Sequence, residues 1–218
     1  MPVEVKFCGL TRPADARVAT DLGARYAGVI FAGGPRNLDP ARASDVLDGA
    51  GPGVDRVGVF GKVSPAEIVR IVEAAHLDIV QLHADPSPEF VLAVAEATGA
   101  RIWAVFRVAG VIADADIVSL QELWDASDAL VLDSNVNGSL GGSGISFDWS
   151  GATGLARGRV SPLAVAGGLT AANVAQAIDT LSPDIVDVSS GVESSPGIKD
   201  HTRMAEFMDA VGRASVFR

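Results

Sequence analysis

Basic residues are scarce in this 218-residue chain: 17 Lys and Arg stand against 27 Asp and Glu, for a formal charge of −10. Only Lys6, Lys62 and Lys199 are lysines. Nucleic-acid phosphates and anionic lipid surfaces bind non-specifically through basic clusters, so neither nucleic acid nor membrane is an expected partner. No apolar run nears the roughly 18 residues that span a bilayer. The opening stretch MPVEVKFCGL has no basic segment leading into an apolar one, so no secretion signal is expected and a cytoplasmic location is. Cysteine is rarer still. Cys8 is the only one, which excludes an intramolecular disulfide and a thiolate metal cluster. What remains is a buried packing residue or a reactive thiol. Of three histidines, His76 falls at a helix end, where it would meet the last carbonyls, and His201 in the final helix. Only His83 closes an apolar run. They do not assemble the paired histidines and carboxylates of a metal-dependent epimerase, and no metal or organic cofactor is expected.

Hydrophobic residues are plentiful at 48%, enough for a sizeable core. Eight β-rich runs recur along the chain: 3–8, 26–31, 55–60, 78–83, 101–106, 129–133, 162–168 and 184–190. Helical stripes lie between them. Ile68, Ile71, Val72 and Ala75 recur at i, i+3, i+4 and i+7, and Ala171, Val174, Ala175, Ile178 and Leu181 do likewise. Ser64, Pro65 and Glu67 resemble a capping box with proline at the first helical position, and Thr170 is placed to cap the later helix. A fifth helix is expected around Ser119 to Trp124. Alternating strands and helices imply a parallel sheet covered on both faces, closed or doubly wound. Eight units favour closure, and KFCGLTRP has one glycine where a dinucleotide fingerprint needs three. The expectation is an α/β fold, a (β/α)₈ TIM barrel, with residues 1–218 as a single domain.

Barrel chemistry gathers at the carboxyl ends of the strands. The polar residues at or just beyond the ends of the runs are Cys8, Arg36 (just beyond the second), His83, Arg107, Asp133, Gly167-Gly168 and Ser189-Ser190-Gly191. The glycine-rich ends of the seventh and eighth runs suit a phosphate grip of backbone N–H groups, although the same glycines also serve tight turns. Lys6 shares the strand face of Cys8 and would point inward. There it could favour thiolate over thiol, moving the thiol below its reference of about 8.5. Asp133 closes the apolar run 129–132; a partly desolvated carboxyl suits a general acid, and a turn aspartate is the alternative. A glycine-rich loop with Gly141, Gly142 and Gly144 follows, either a lid or a plain surface loop.

Taken together, KFCGLTRP (6–13), GVIF…GPR (28–36), GVF (58–60), VQLH (80–83), LVLD (130–133), GGSGISFDW (141–149), AGGLTAANV (166–174) and DVSSGVE…GIKD (187–200) closely resemble the phosphoribosylanthranilate isomerases of tryptophan biosynthesis. The resemblance spans nearly the whole chain. It implies an Amadori rearrangement of N-(5-phosphoribosyl)anthranilate, with Asp133 as general acid opening the furanose ring and Cys8 as the base. It also implies that Arg36 pairs with the anthranilate carboxylate, that Lys6 and His83 bind substrate, that Gly167, Gly168, Ser190 and Gly191 hold the phosphate, and that Gly141, Gly142 and Gly144 belong to a lid. A phosphorylated small molecule is the expected partner, with the chain a monomer or homodimer. Departures are Gly34-Pro35-Arg36 for Ser-Pro-Arg, Ala84 for a glycine after the histidine, Gly141-Gly142-Ser143-Gly144 for GGTG, and Gly61-Lys62 for an apolar residue and asparagine. They bear on substrate tolerance more than on reaction type. Three rivals are weighed: a dual-substrate isomerase, which carries aspartate at the place of Cys8, a lyase forming an imine on Lys6, and a silent binding protein.

Overall fold

The computed structural model describes residues 2–108, 114–134 and 161–215. Eight parallel strands close into a barrel in sequential order: β1 Glu4–Phe7, β2 Tyr26–Phe31, β3 Asp55–Phe60, β4 Ile79–Leu82, β5 Arg101–Val108, β6 Ala129–Ser134, β7 Leu163–Val165 and β8 Ile185–Val188. Each coincides with one of the eight apolar runs. Around them lie α1 Pro13–Asp21, α2 Pro40–Asp48, α3 Pro65–Ala75, α4 Pro88–Thr98, α5 Asp114–Asp125, α6 Val174–Leu181 and α7 His201–Ser215, with a short β9–β10 hairpin (Glu193–Ser195, Ile198–Lys199) before the last helix. Among the described residues no helix is long and apolar enough to cross a membrane.

Residue chemistry explains the starts of the helices. Ser64 and Ser87 each accept from the backbone N–H three residues on, and Asp39 does the same, with proline following in all three. An extended cap residue, an oxygen for an orphan donor and a preset φ together nucleate the first turn. The Glu67 half of the expected capping box is engaged elsewhere, in an ion pair with Arg70. Thr170 does not cap α6. Its N–H donates to Asn173 Oδ1 at 2.8 Å, and its carbonyl accepts from Val174 N at 3.0 Å. The helix therefore begins one turn later than the sequence suggested. Ile68, Ile71 and Ala75 of α3, and Val174, Ile178 and Leu181 of α6, are buried as the stripes require. On α6, Ala177 is buried instead of Ala175, which is only partly covered.

Two cores result. One fills the space between sheet and helices, and the other fills the barrel itself with Tyr26, Val57, Ile79, Trp103, Val105, Val131, Ile185 and neighbouring alanines. Register places inward residue against inward residue around the ring: Lys6 beside Tyr26 and Asp187, Val59 beside Gln81, Gln81 beside Trp103, Val131 beside Ala164. Because strand side chains alternate with period two, polar groups two residues above these apolar layers all emerge at one end. That end is the carboxyl rim.

Candidate active site

A pocket of about 360 Å³ opens at that rim, lined by Cys8, Arg36, His83, Asp133, Gly167, Gly168, Ser190 and Gly191 among others. Eight residues singled out in the sequence thus meet in one cavity. Two placements differ. Arg107 turns away and forms a two-pronged pair with Asp85 in the loop after β4. Lys6 was expected to touch substrate, but it lies one layer below the pocket, 0% exposed. Gly141, Gly142 and Gly144 lie outside the described residues.

Cys8 follows β1 directly, its N–H held by the carbonyl of Val188 at 2.9 Å. Gly28 on β2 makes its place: a Cβ there would stand 3.1 Å from Lys6 Cε and 3.2 Å from Cys8 Sγ. Lys6 Nζ donates to Asp187 Oδ2 at 2.6 Å. Burial alone would lower the lysine, but the charges of Asp187 and Cys8 lift it above its ordinary value. A lysine that keeps its proton is no amine nucleophile, which argues against imine chemistry on Lys6. The thiol does not follow the sequence expectation. Burial pushes it up, and although Lys6 pulls it down, Asp187 counters that cation. The salt bridge spends on a carboxylate the charge expected to favour thiolate. Alkylation of Cys8 followed against pH reports this directly, since no other thiol competes. A midpoint above about 8.5 is expected, and a lower one would show that Lys6 outweighs burial.

Asp133 ends the apolar β6, buried at 5% exposure. His83 Nε2 stands 3.6 Å from Asp133 Oδ2, too long for a settled hydrogen bond. Burial, then the nearby Arg107 and Lys6, lower His83 to about 4, so near neutral pH the ring is uncharged and this contact is no ion pair. A neutral imidazole keeps one donor and one acceptor nitrogen.

The wall beyond β2 is ionic. Arg36 gives Nε and Nη2 to Glu193 at 2.8 and 2.7 Å, and Lys199 Nζ donates to the same carboxylate at 2.9 Å and to the carbonyl of Ser189 at 3.0 Å. Glu193 is burdened by burial, yet its two cations hold it below the usual carboxylate range. Lys199 has only part of one carboxylate to offset near-complete burial and is lowered. Arg36 uses one edge of its guanidinium on Glu193. Nη1 and the outer hydrogen of Nη2 remain for a second carboxylate, which the planar fork fits.

The loops after β7 and β8 are glycine-rich. Gly167 and Gly168 adopt φ of 86° and 65°, and their N–H groups have no acceptor among the described residues. Asn173 Nδ2 donates to the carbonyl of Gly168 at 2.9 Å and fixes the loop. The loop after β8 packs against it so closely that a Cβ on Gly191 would lie 1.9 Å from the carbonyl oxygen of Leu169. Free N–H groups on a rigid, side-chain-free surface suit a phosphate.

Four residues of this end escaped the sequence reading as functional groups: Gln81, Asp187, Glu193 and Lys199. Gln81 and Asp187 line the pocket. Counting back two residues from His83 and Ser189 would have found them, because period-two alternation makes them inward too. Glu193 and Lys199 carry no such signal, since nothing in the local sequence pairs them with Arg36.

The phosphoribosylanthranilate isomerase family model, described as "N-(5'phosphoribosyl)anthranilate (PRA) isomerase", matches residues 5–210. The N-(5'-phosphoribosyl)anthranilate isomerase of Acidithiobacillus ferrooxidans is 40% identical over 210 residues, covering 96% of this chain and 97% of the relative. Among solved structures, the phosphoribosyl anthranilate isomerase of Thermotoga maritima superposes with a TM-score of 0.87 at 32% identity, over 97% of this chain and 99% of that one. A further isomerase structure, in complex with reduced 1-(o-carboxyphenylamino)-1-deoxyribulose 5-phosphate, matches at TM-score 0.83 and 31% identity, over 97% and 99% of the two chains.

Proposed function

Since the chain belongs to the phosphoribosylanthranilate isomerase family, we propose that Cys8 and Asp133 are the base and the acid of its reaction. The reaction converts N-(5'-phosphoribosyl)anthranilate into 1-(2-carboxyphenylamino)-1-deoxyribulose 5-phosphate, a step of tryptophan biosynthesis. The observation carrying the assignment is topological. β1 and β6 stand three places apart around the ring, with β7 and β8 between them. A sugar anchored by its phosphate to the loops after β7 and β8 therefore lies between thiol and carboxyl.

The steps follow. Asp133 gives its proton to the ring oxygen as the C1–O bond breaks, and the nitrogen lone pair completes a protonated imine at C1. The minor fraction of Cys8 present as thiolate takes the proton from C2. That electron pair forms the C1–C2 double bond while the imine pair returns to nitrogen. The resulting enol becomes the ketone as its O–H proton is lost to water and C1 gains one from water, and proton exchange with water returns Asp133 to the acid and Cys8 to the base form. Positioned acid and base groups of this kind contribute about 10²- to 10⁴-fold each. Binding of the phosphate by Gly167, Gly168, Ser190 and Gly191, and of the aryl carboxylate by the free edge of Arg36, holds C1 and C2 between them. Neutral His83, beside Asp133, contributes a hydrogen bond to the same sugar. No cofactor enters these steps. The whole chain, 1–218, acts as one barrel domain in the cytoplasm, as monomer or homodimer.

A fluorescence assay with freshly made phosphoribosylanthranilate, run beside the histidine-pathway aminoaldose, tests the reading. Turnover of the first and not the second is expected. Tight binding of the first without turnover would make the protein a metabolite binder.

A further inference from the structure

Gln81 is 3% exposed, lines the pocket, and makes no hydrogen bond through either amide atom among the described residues; its Oε1 is completely covered. On either side in the sheet stand the inward residues Val59 and Trp103. Asp187 Oδ1, His83 Nδ1 and Ser189 Oγ, in the same pocket, are likewise buried without partners. A buried polar group left unsatisfied lowers the stability of the free protein, and native chains hold few of them. Four around one cavity suit a ligand with several hydroxyls. Other parts of the pocket already have matches of another kind, an arginine edge for a carboxylate and bare N–H groups for a phosphate. The floor is where the hydroxyl-bearing middle of the substrate would rest.

We propose that Gln81 is a substrate-positioning residue whose amide hydrogen-bonds a hydroxyl of the open sugar chain. The proposal deepens the isomerase reading and rests on it. It accounts for a glutamine inside an otherwise apolar β4: the group is poorly satisfied in the free protein because its partner arrives with the substrate.

Gln81→Met separates this role from a packing role, because methionine fills nearly the same volume without polar atoms. The wild type is assayed first with phosphoribosylanthranilate, and inactivity there overturns the isomerase reading independently of Gln81. The variant is expected to melt about 2–4 °C higher, having lost an unsatisfied buried group, while kcat/KM falls about 10-fold. Affinity for the reduced product analogue should fall with it. Binding of anthranilate or inorganic phosphate, which lack the sugar chain, should not change. A lower melting point, an unchanged kcat/KM, or equal losses on all three probes would overturn the proposal. A second measurement needs no substitution of Gln81. The chain has three glutamines, and Gln121 and Gln176 are exposed, so replacing those two identifies the Gln81 side-chain amide signal in labelled protein. Addition of the analogue should shift that signal, and a signal that stays in place rejects the contact.

Discussion

Cys8→Ala is expected to lower kcat by about 10³-fold, some 4 kcal/mol of barrier, with binding of the reduced product analogue nearly unchanged. Phosphate and aryl carboxylate are assigned to other groups, so loss of the thiol is expected to remove proton abstraction and little of the binding. The fold should tolerate it, since alanine leaves only a small gap at the mouth of a pocket and Lys6 keeps its partner Asp187. Steady-state kinetics together with a direct binding measurement settles the matter. Equal losses in kcat and affinity would make Cys8 a shaping residue, and turnover close to wild type would give the base to another group.

Asp133→Asn should be comparably damaging, about 10²- to 10⁴-fold in kcat. The amide keeps the shape of the side chain and its place beside His83, but it carries no acidic proton to give to a ring oxygen. Retention of shape makes the test clean: melting temperature should hardly move while turnover collapses. Combining it with Cys8→Ala is informative, because residues that serve one substrate in sequence lose less together than the sum of their separate losses. A mild effect of Asp133→Asn alone would send the search for the acid to another group lining the pocket.

Much of this was readable from the chain. Strands such as 26–31 and 55–60 are apolar on both faces, and only a covered parallel sheet uses such runs, so their limits fall where the structure puts them. Residues at strand ends were legible for the same reason. Asp133 and His83 interrupt apolar runs at the one place where polarity is useful. Gln81 and Asp187 interrupt them too, but inside the strands, where attention to run ends passes over them. The electrostatics of Cys8 could not be read, because they depend on Asp187, which is 181 residues from Lys6 in sequence and its neighbour only after β8 closes onto β1. The same holds for Arg36, whose engagement with Glu193 spans 157 positions. Local patterns placed Thr170 as a cap, while the side chain of Asn173 claimed its N–H and moved the helix start.

The contact between Gly191 and the carbonyl of Leu169 divides the rim into unequal halves. With no room for even a methyl group, the turns leaving β7 and β8 cannot slide past one another and behave as a single casting. New specificities in this scaffold would have to be written elsewhere on the rim, in the segment 32–35 after β2, which lines the same pocket. The anchor stays fixed while the reach of the pocket is free to drift.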